Sequence, residues 1–182
     1  GEIYNYLELR KELEKYKWKF RTKSDTEVLA YAWKQWKFKM FDKLNGMFAF
    51  CIFDRKNNKI ILSRDISGEK PLYYLKKNNK FYFSSEAKAI VAVANPQLVK
   101  NKIYDAFQHC LSKTLWKDVY QLPAANYLVL DIKTLNFKTN EYWKFTQKKI
   151  DLKKPEEELE DLLKKSLDLR FRSDVDFGLY YS

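Results

Sequence analysis

The fold of this chain is decided by the apolar run Met47-Phe48-Ala49-Phe50-Cys51-Ile52-Phe53. The run is short, aromatic and uncharged, which predicts a β-strand that is buried on both faces. The pair Asn57-Asn58 follows as a turn, because asparagine tolerates the left-handed backbone that tight turns need. Ile60–Arg64 then has the composition of a second strand that pairs back onto the first. A β-hairpin is therefore expected near the middle of the chain.

Two further strand pairs are predicted beyond this hairpin. Leu72–Leu75 and Phe81–Ser84 are rich in aromatic and aliphatic residues and flank a second turn at Asn78-Asn79. Tyr127–Ile132 and Asn136–Trp143 have the composition of another antiparallel pair. Sheets of the chain should therefore be built mainly from neighbouring strands that run antiparallel.

Three segments have apolar residues at helical spacing. Their predicted faces are Tyr6, Leu9, Leu13 and Tyr16; Val28, Leu29, Ala32, Trp33 and Trp36; and Leu159, Leu162, Leu163 and Ser166. The second helix follows Ser24-Asp25-Thr26-Glu27, which predicts a capping box in which Ser24 caps the helix and Glu27 reaches back. The third begins with Glu156–Glu158, whose charges suit the positive end of the helix dipole.

The remaining elements are a helix at Glu86–Ala94, a helix at Asn101–Leu111 and a strand at Val175–Tyr181. Pro96 is expected to end the first of these helices. The most natural domain boundary lies at Lys148–Pro155, after which a new helix and strand begin.

The composition indicates an ordered globular chain. The 182 residues are 46% hydrophobic and 17% aromatic, with only four glycines and four prolines, which excludes most disordered and collagen-like classes. The net charge is +11, but only six of the 35 basic residues are arginine, and the lysines are scattered among acids. Lysine is the weaker residue for bidentate phosphate recognition, so we interpret the charge as a lysine-rich surface and expect no nucleic-acid partner.

The longest uncharged apolar stretch, Leu44–Phe53, is far shorter than the ~20 residues that a membrane-spanning helix needs. We therefore expect no membrane partner. The two cysteines are too few for a disulfide framework, which favours a cytoplasmic location.

Neither cysteine is interpreted as a nucleophile. Cys51 lies within the apolar strand and is expected to be a core residue. Cys110 follows His109, the only histidine, but adjacent residues on a helix point about 100° apart and cannot hydrogen-bond to each other through their side chains.

Six collinear segments resemble motifs of the asparagine synthetase B family, the asparagine synthetases that hydrolyse glutamine. The segments are Gly1–Tyr6 with Leu9-Arg10 and Glu12-Leu13, Ser24–Val28, Leu44–Phe50, Arg64–Tyr73, Phe83–Ala89, and Arg170–Val175 with Gly178 and Ser182. The resemblance covers the whole chain and is weakest over Pro96–Lys153.

The resemblance implies an α+β fold in two parts. Residues 1–150 would be a class II glutamine amidotransferase domain of the N-terminal-nucleophile (Ntn) hydrolase type. This domain would be a four-layer αββα sandwich that lacks its N-terminal cysteine strand. Residues 151–182 would be the first helix and strand of an α/β synthetase domain of the ATP-pyrophosphatase type, truncated after that strand.

The resemblance also assigns the site residues. Gly1 matches the glycine whose amide contributes to the oxyanion hole, and Gly1, Glu2 and Asp25 match residues that bind glutamine. Tyr181 and Ser182 match positions that contact ATP. An acid beside the substrate ammonium and preset donors for an oxyanion suit glutamine hydrolysis. No metal ligand is predicted within the chain, and ATP and Mg²⁺ are expected to bind to the downstream domain.

The implied parent enzyme makes asparagine from aspartate, ATP and glutamine, and passes ammonia internally to β-aspartyl-AMP. Both ends of the chain look cut, since the family's N-terminal cysteine would lie upstream and its phosphate loop would begin at Ser182. We therefore expect these 182 residues alone to have neither glutaminase nor synthetase activity. The family also suggests a homodimer.

Two alternatives stay open. Gln121-Leu122-Pro123 is followed by Ala124-Ala125-Asn126, and Asp176-Phe177 stands where the family often has Pro-Val. These departures allow a related amidotransferase with another carboxylate acceptor, such as a surface-polysaccharide uronate. The other alternative is a non-catalytic module that uses its basic surface for binding.

Overall fold

The computed structural model describes residues 1–99, 114–147, 154–172, 176 and 178. Within these residues the chain forms nine β-strands and four α-helices, with short 3₁₀ turns at Lys37–Asp42 and Arg55–Asn57. In chain order they are β1 (Glu2–Ile3), α1 (Tyr6–Lys15), α2 (Asp25–Trp36), β2 (Gly46–Met47), β3 (Ala49–Asp54), β4 (Lys59–Arg64), β5 (Tyr73–Lys77), β6 (Lys80–Ser84), α3 (Ala87–Ala94), β7 (Tyr120–Gln121), β8 (Asn126–Asp131), β9 (Phe137–Glu141) and α4 (Pro155–Arg170).

The strands form three antiparallel sheets. A four-stranded sheet has the order β3-β4-β8-β9, and a three-stranded sheet has the order β6-β5-β7. The small pair β1-β2 stands apart from both and brings Glu2 opposite Met47 and Ile3 opposite Gly46. All three strand pairs expected from the sequence are present, and each joins neighbours along the chain.

The turns between these neighbours follow asparagine chemistry. Asn58, Asn78 and Asn79 have φ angles of 51°, 51° and 55°, which is the left-handed region that asparagine tolerates better than most residues. Two consecutive residues with positive φ are what a type I′ hairpin requires, so Asn78-Asn79 sets the register of β5 and β6.

Three apolar clusters show how the sheets are layered. One cluster lies between α1, α2 and the four-stranded sheet and contains Leu13, Val28 and Ile61, each 0% exposed. The second lies between the two large sheets and contains Leu62, Tyr74 and Leu128. The third lies between the three-stranded sheet and α3 and contains Leu75, Ile90 and Val119. The order helix, sheet, sheet, helix is the αββα arrangement that the family resemblance implies.

Alternation along the strands explains how each sheet serves two layers. In β4, Ile61 packs towards the helices, whereas its neighbour Leu62 packs towards the second sheet. In β5, Tyr74 faces the cluster between the sheets and Leu75 faces α3. Successive side chains of a strand point to opposite faces, so each strand contributes to two clusters.

The apolar run at residues 47–53 does not form one strand buried on both faces, and that prediction is wrong. The run is divided at Phe48, where β2 ends before β3 begins, and β3 lies at an edge of its sheet among the described residues. Phe50 packs against the core, but Cys51 and Phe53 are exposed. The interpretation of Cys51 as a core cysteine is therefore also wrong, because an edge strand leaves part of its second face uncovered.

The start of α2 agrees only partly with the predicted capping box. The Ser24 hydroxyl accepts a hydrogen bond from the backbone N–H of Thr26 at 3.1 Å, so Ser24 caps the helix. Glu27 does not reach back to Ser24. Its carboxylate accepts from the backbone N–H groups of Arg21 and Thr22 instead, at distances of 2.7 to 3.1 Å. Glu27 therefore fixes the loop that enters the helix.

The other helices agree with expectation where they are described. α1 and α4 lie where the apolar periodicity predicts them. α3 lies within the helix predicted at Glu86–Ala94 and ends at Asn95, which has a left-handed backbone. The predicted helix at Asn101–Leu111, with His109 and Cys110, lies outside the described residues, as does most of the predicted strand at Val175–Tyr181. None of the described helices is both long and apolar enough to cross a membrane.

Candidate functional site

A cleft of about 610 Å³ opens beside β1 and the first turn of α2. Ten residues line it: Gly1, Glu2, Ile3, Tyr4, Tyr6, Leu7, Lys23, Ser24, Asp25 and Arg172. The structure thus brings together the three residues that the resemblance assigns to glutamine binding, Gly1, Glu2 and Asp25.

Asp25 is fixed on one oxygen and more open on the other. It is the first residue of α2 and half-buried, and its Oδ2 accepts a hydrogen bond from the backbone N–H of Ile3 at 3.0 Å. Its Oδ1 lies 3.3 Å from the Thr26 hydroxyl and 3.5 Å from the Ser24 hydroxyl. The contact with Ile3 orients the carboxylate, while Oδ1 has only long contacts that a stronger donor can replace.

Glu2 supplies a second carboxylate to the cleft. Its side chain is exposed and makes no hydrogen bond or ion pair with the described part of the chain. It lies in β1 next to Ile3, the residue whose N–H holds Asp25. Two carboxylates therefore line one cleft, at sequence positions 23 residues apart, and both are available to a cationic group.

The cleft also has two cationic side chains, Lys23 and Arg172. Lys23 is exposed and directly precedes the cap of α2. A cleft whose walls combine carboxylates and cations suits a ligand that carries both charges, such as an amino acid.

The position of β1 depends on two glycines. A Cβ on Gly1 would lie 2.6 Å from the Met47 carbonyl oxygen, and a Cβ on Gly46 would overlap the Glu2 carbonyl oxygen. Each glycine therefore lies directly against the backbone of the opposite strand. Only residues without a side chain permit this close approach, which brings Glu2 and Ile3 up to Met47.

The buried carboxylate of Asp65 fixes the backbone that follows β2. The residue is fully buried, and its carboxylate accepts hydrogen bonds from the backbone N–H groups of Phe48, Glu69 and Lys70 at 2.9 to 3.2 Å. Its own backbone N–H donates to the Phe48 carbonyl at 2.9 Å. These bonds fix Phe48 directly after β2, and β2 in turn holds β1 at the cleft.

Arg64 braces the loop after β4 and lies away from the residues that line the cleft. Its guanidinium donates to the carbonyls of Gly68, Lys70 and Leu122 at 2.5 to 2.9 Å. The Tyr142 hydroxyl donates to the Arg64 carbonyl at 2.8 Å. These contacts give Arg64 a structural role, in which it braces the loop between β4 and β5.

Arg172 is the cleft residue that sequence reasoning did not identify. The resemblance includes it in the motif segment Arg170–Val175 but gives it no role at the site. In the structure its guanidinium forms a bidentate pair with Glu8, both contacts at 2.6 Å, and also donates to the Tyr4 carbonyl at 2.9 Å. Glu8 and Arg172 are 164 residues apart, so no local sequence pattern could have paired them.

Cys51 does not line the cleft. Although the residue is exposed, neighbouring side chains partly desolvate its thiol and raise its pKa, which opposes the reactive thiolate form. Tyr181 and Ser182, which the resemblance assigns to ATP, lie outside the described residues. Over the described residues, no group of three or more histidine, cysteine or acidic side chains is placed to hold a metal ion.

Comparison with known families gives one domain-level match. Residues 1–143 match the family model described as a glutamine amidotransferase domain. All the cleft residues except Arg172 fall inside this range.

The curated proteins that are similar to the whole chain include two asparagine synthetases. One, from Methanocaldococcus jannaschii and named as a glutamine-hydrolysing asparagine synthetase, is 37% identical over 191 residues. The other, asparagine synthetase (glutamine-hydrolysing) 1 of Bacillus subtilis, is 35% identical over 189 residues. The matches cover 100% of this chain but 36% and 30% of the two relatives, so the chain spans about a third of their length.

A solved structure shares the fold. The glutamine phosphoribosylpyrophosphate amidotransferase of Bacillus subtilis superposes with a TM-score of 0.57 at 20% identity, over 78% of this chain and 28% of that one. At this identity the likeness concerns the fold alone.

Proposed function

Because the chain belongs to the family of glutamine amidotransferase domains, we propose that its cleft binds glutamine and that it is the glutaminase part of an asparagine synthetase. The observation that carries the proposal is the juxtaposition of Asp25 and Glu2 in one cleft, with the Asp25 carboxylate preset by the Ile3 N–H.

In this proposal the two acids bind the ammonium group of glutamine. Asp25 Oδ1 gives up its long contacts with the Thr26 and Ser24 hydroxyls and accepts from the substrate ammonium. Glu2 approaches the same group from β1. Charge-assisted hydrogen bonds of this kind contribute about 1.5–3 kcal/mol each. Gly1 donates its backbone N–H to the oxyanion that forms at the amide carbon, as the resemblance implies.

The synthetase reaction belongs to the same proposal. We propose that the whole protein transfers the released ammonia to aspartate activated by ATP and Mg²⁺, and that Tyr181 and Ser182 belong to the ATP site. The support is the similarity of the entire chain to asparagine synthetases. An acceptor other than aspartate is the competing outcome, and an acceptor screen with ATP on the whole protein distinguishes the two.

The first test measures binding, because none of the described residues that line the cleft is a cysteine. We expect L-glutamine to bind to the 182-residue chain in an NMR titration, and to shift the amide resonances of Ile3 and Thr26. Asp25→Asn keeps an oxygen that can accept from Ile3 but loses the charge, and should weaken binding about 10- to 100-fold. Asp161→Asn, an exposed acid on α4, is the matched control and should leave the affinity unchanged.

A second ligand separates ammonium recognition from a general loss of structure. Glutaramate has the carboxylate and the amide of glutamine but no α-ammonium. Asp25→Asn and Glu2→Gln should weaken the binding of glutamine much more than the binding of glutaramate. Equal weakening of both ligands, or no binding of glutamine to the unaltered chain at millimolar concentrations, would overturn the proposal.

A further inference from the structure

Arg172 connects the segment after α4 to Tyr4, which also lines the cleft, and to Glu8 in α1. It follows the last residue of α4 by two positions, and it reaches Tyr4 and Glu8 at the opposite end of the chain. Its side chain is 29% exposed, and Glu8 is 55% exposed. Both contacts to Glu8 are 2.6 Å, which is the fork geometry that makes arginine–carboxylate pairs specific as well as attractive.

The contact with Tyr4 is the one that reaches the site. Tyr4 directly follows β1, which contains Glu2 and Ile3, and its side chain is 7% exposed. The Arg172 guanidinium donates to its carbonyl, and the guanidinium of Arg170 lies 5.1 Å from the centre of its ring. Two cations from one end of α4 therefore hold the residue that follows the glutamine-binding strand.

The charges agree with this geometry. The hydrogen bond from Arg172 lowers the pKa of Glu8, and the hydrogen bond to Glu8 raises the pKa of Arg172, so each partner favours the charged form of the other. The pair is thus ionised at neutral pH and forms a fixed link between the segment after α4 and α1.

We propose that Arg172 is a positioning residue that sets the affinity of the cleft for its amino-acid ligand by holding the Glu2–Tyr4 segment against Asp25. The inference rests on the proposed function for the identity of the ligand. The hydrogen bond from Arg172 to the Tyr4 carbonyl couples the end of α4 to β1, although the two segments lie far apart in sequence. A residue that links two segments in this way couples the state of one to the affinity of the other.

The first experiment measures the strand without any ligand. The Ile3 N–H donates to Asp25, so its hydrogen exchange reports how firmly β1 is held. Arg172→Gln should accelerate exchange of the Ile3 amide about fivefold, the lower end of typical coupling effects, while the Leu62 amide in β4 remains unchanged. Arg55→Gln, which removes a surface guanidinium from the 3₁₀ turn after β3, should leave the exchange rates of both amides unchanged.

The second experiment measures binding. Arg172→Gln should raise the dissociation constant of L-glutamine about fivefold with an unchanged melting temperature. Arg172→Lys, which can still donate one bond, should recover part of the affinity. Glu8→Gln removes the charge of the partner but leaves the Tyr4 contact in place, so its effect should be smaller than that of Arg172→Gln.

The two readouts separate the two proposals. Faster Ile3 exchange in Arg172→Gln together with weaker glutamine binding supports the inference. Unchanged Ile3 exchange overturns the positioning role even if glutamine binds to the unaltered chain as proposed. Faster exchange in a chain that binds no glutamine supports the mechanical link and overturns the proposed function instead. A general loss of protection, including at Leu62, would also overturn the inference, because it would indicate a structural role only.

Discussion

Helices α1 and α4 have similar leucine stripes but different surroundings. In α1, Leu9 and Leu13 are 3% and 0% exposed and belong to the cluster beneath α2. In α4 the stripe is largely open to solvent: Leu159 is 58%, Leu162 64%, Leu163 56% and Leu167 49% exposed. The spacing of leucines thus indicates a helix with an apolar face in both cases, but it does not indicate what covers that face.

The difference shows which forces hold each helix. α1 is held by burial, because its apolar face contributes to the main cluster. α4 has no buried residue, and its visible support consists of acids in its first turn, ion pairs along its surface and the contacts of Arg172 at its end. Such local interactions contribute only tenths of a kcal/mol each. Because α4 has no burial to add to them, they make up most of its described stabilisation, whereas in α1 burial dominates.

The largest expected effect is the loss of a leucine from the buried stripe. Leu13→Ala should lower the free energy of unfolding by about 2–5 kcal/mol, because it removes buried methyl groups and leaves a cavity beneath α2. The matched change Leu163→Ala should alter it by less than about 0.5 kcal/mol. Urea denaturation followed by tryptophan fluorescence measures both. Similar losses in the two variants would contradict the comparison and indicate that α4 is covered in solution.

Two glycines also differ in how closely other atoms surround them. Gly46→Ala should destabilise the chain by about 1–3 kcal/mol, because the new Cβ overlaps the Glu2 carbonyl and must push β1 and β2 apart. It should also weaken glutamine binding, since β1 contributes Glu2 to the cleft. A Cβ on Gly178 meets no described atom within 4 Å, so Gly178→Ala should have little effect. Thermal unfolding and the glutamine titration test this pair, and a stable Gly46→Ala variant with normal affinity would argue against the close approach.

The sequence predicted those parts of the fold that depend on local chemistry. The hairpin at Asn78-Asn79 follows from two residues that tolerate positive φ, and the helices follow from apolar spacing. The proximity of Glu2 and Asp25 came from resemblance to a family, since no periodicity places β1 beside the first turn of α2.

The features that the sequence did not predict depend on tertiary structure. The exposure of Cys51 follows from the edge position of β3, which composition does not reveal. Glu27 binds the loop before Ser24 because that loop folds back over the helix start. The Arg172–Glu8 pair joins the two ends of the described chain, and only the folded structure brings them together.

The buried carboxylate of Asp54 makes the stability of the fold depend on pH. The residue is 8% exposed, and its carboxylate accepts from Trp33 Nε1 and Asn57 Nδ2, both at 3.0 Å, with Lys37 Nζ at 3.4 Å. Burial alone would raise its pKa, but the hydrogen bonds from Asn57 and Trp33 outweigh burial and lower the pKa from 3.8 to about 2.

A lowered pKa in the folded state means that the ionised form stabilises the fold. This contribution is fully present above pH 3.8 and is lost as the pH falls towards 2. After allowance for solvent screening it amounts to about 1–2 kcal/mol. Melting temperatures between pH 5 and 2 should therefore fall less steeply in Asp54→Asn than in the unaltered chain, with the variant already less stable at neutral pH. Parallel curves would show that Asp54 is not the titrating group.

The smallest expected effect concerns two ion pairs that differ in what they join. Glu12 and Lys43 lie 2.8 Å apart, are about one-third exposed, and connect α1 to the segment before β2. Glu160 and Lys164 lie 2.5 Å apart on the surface of α4 and are 65% exposed. Glu12→Gln should cost about 0.5–1 kcal/mol and Glu160→Gln about 0.3 kcal/mol, because a pair within one exposed helix gains little beyond local attraction. Both losses should shrink in 1 M salt, where exposed charges are screened. Since the leucine stripe of α4 is open in the described structure, a larger loss for Glu160→Gln than for Glu12→Gln would mean that surface charge stabilises α4 more than such pairs usually do.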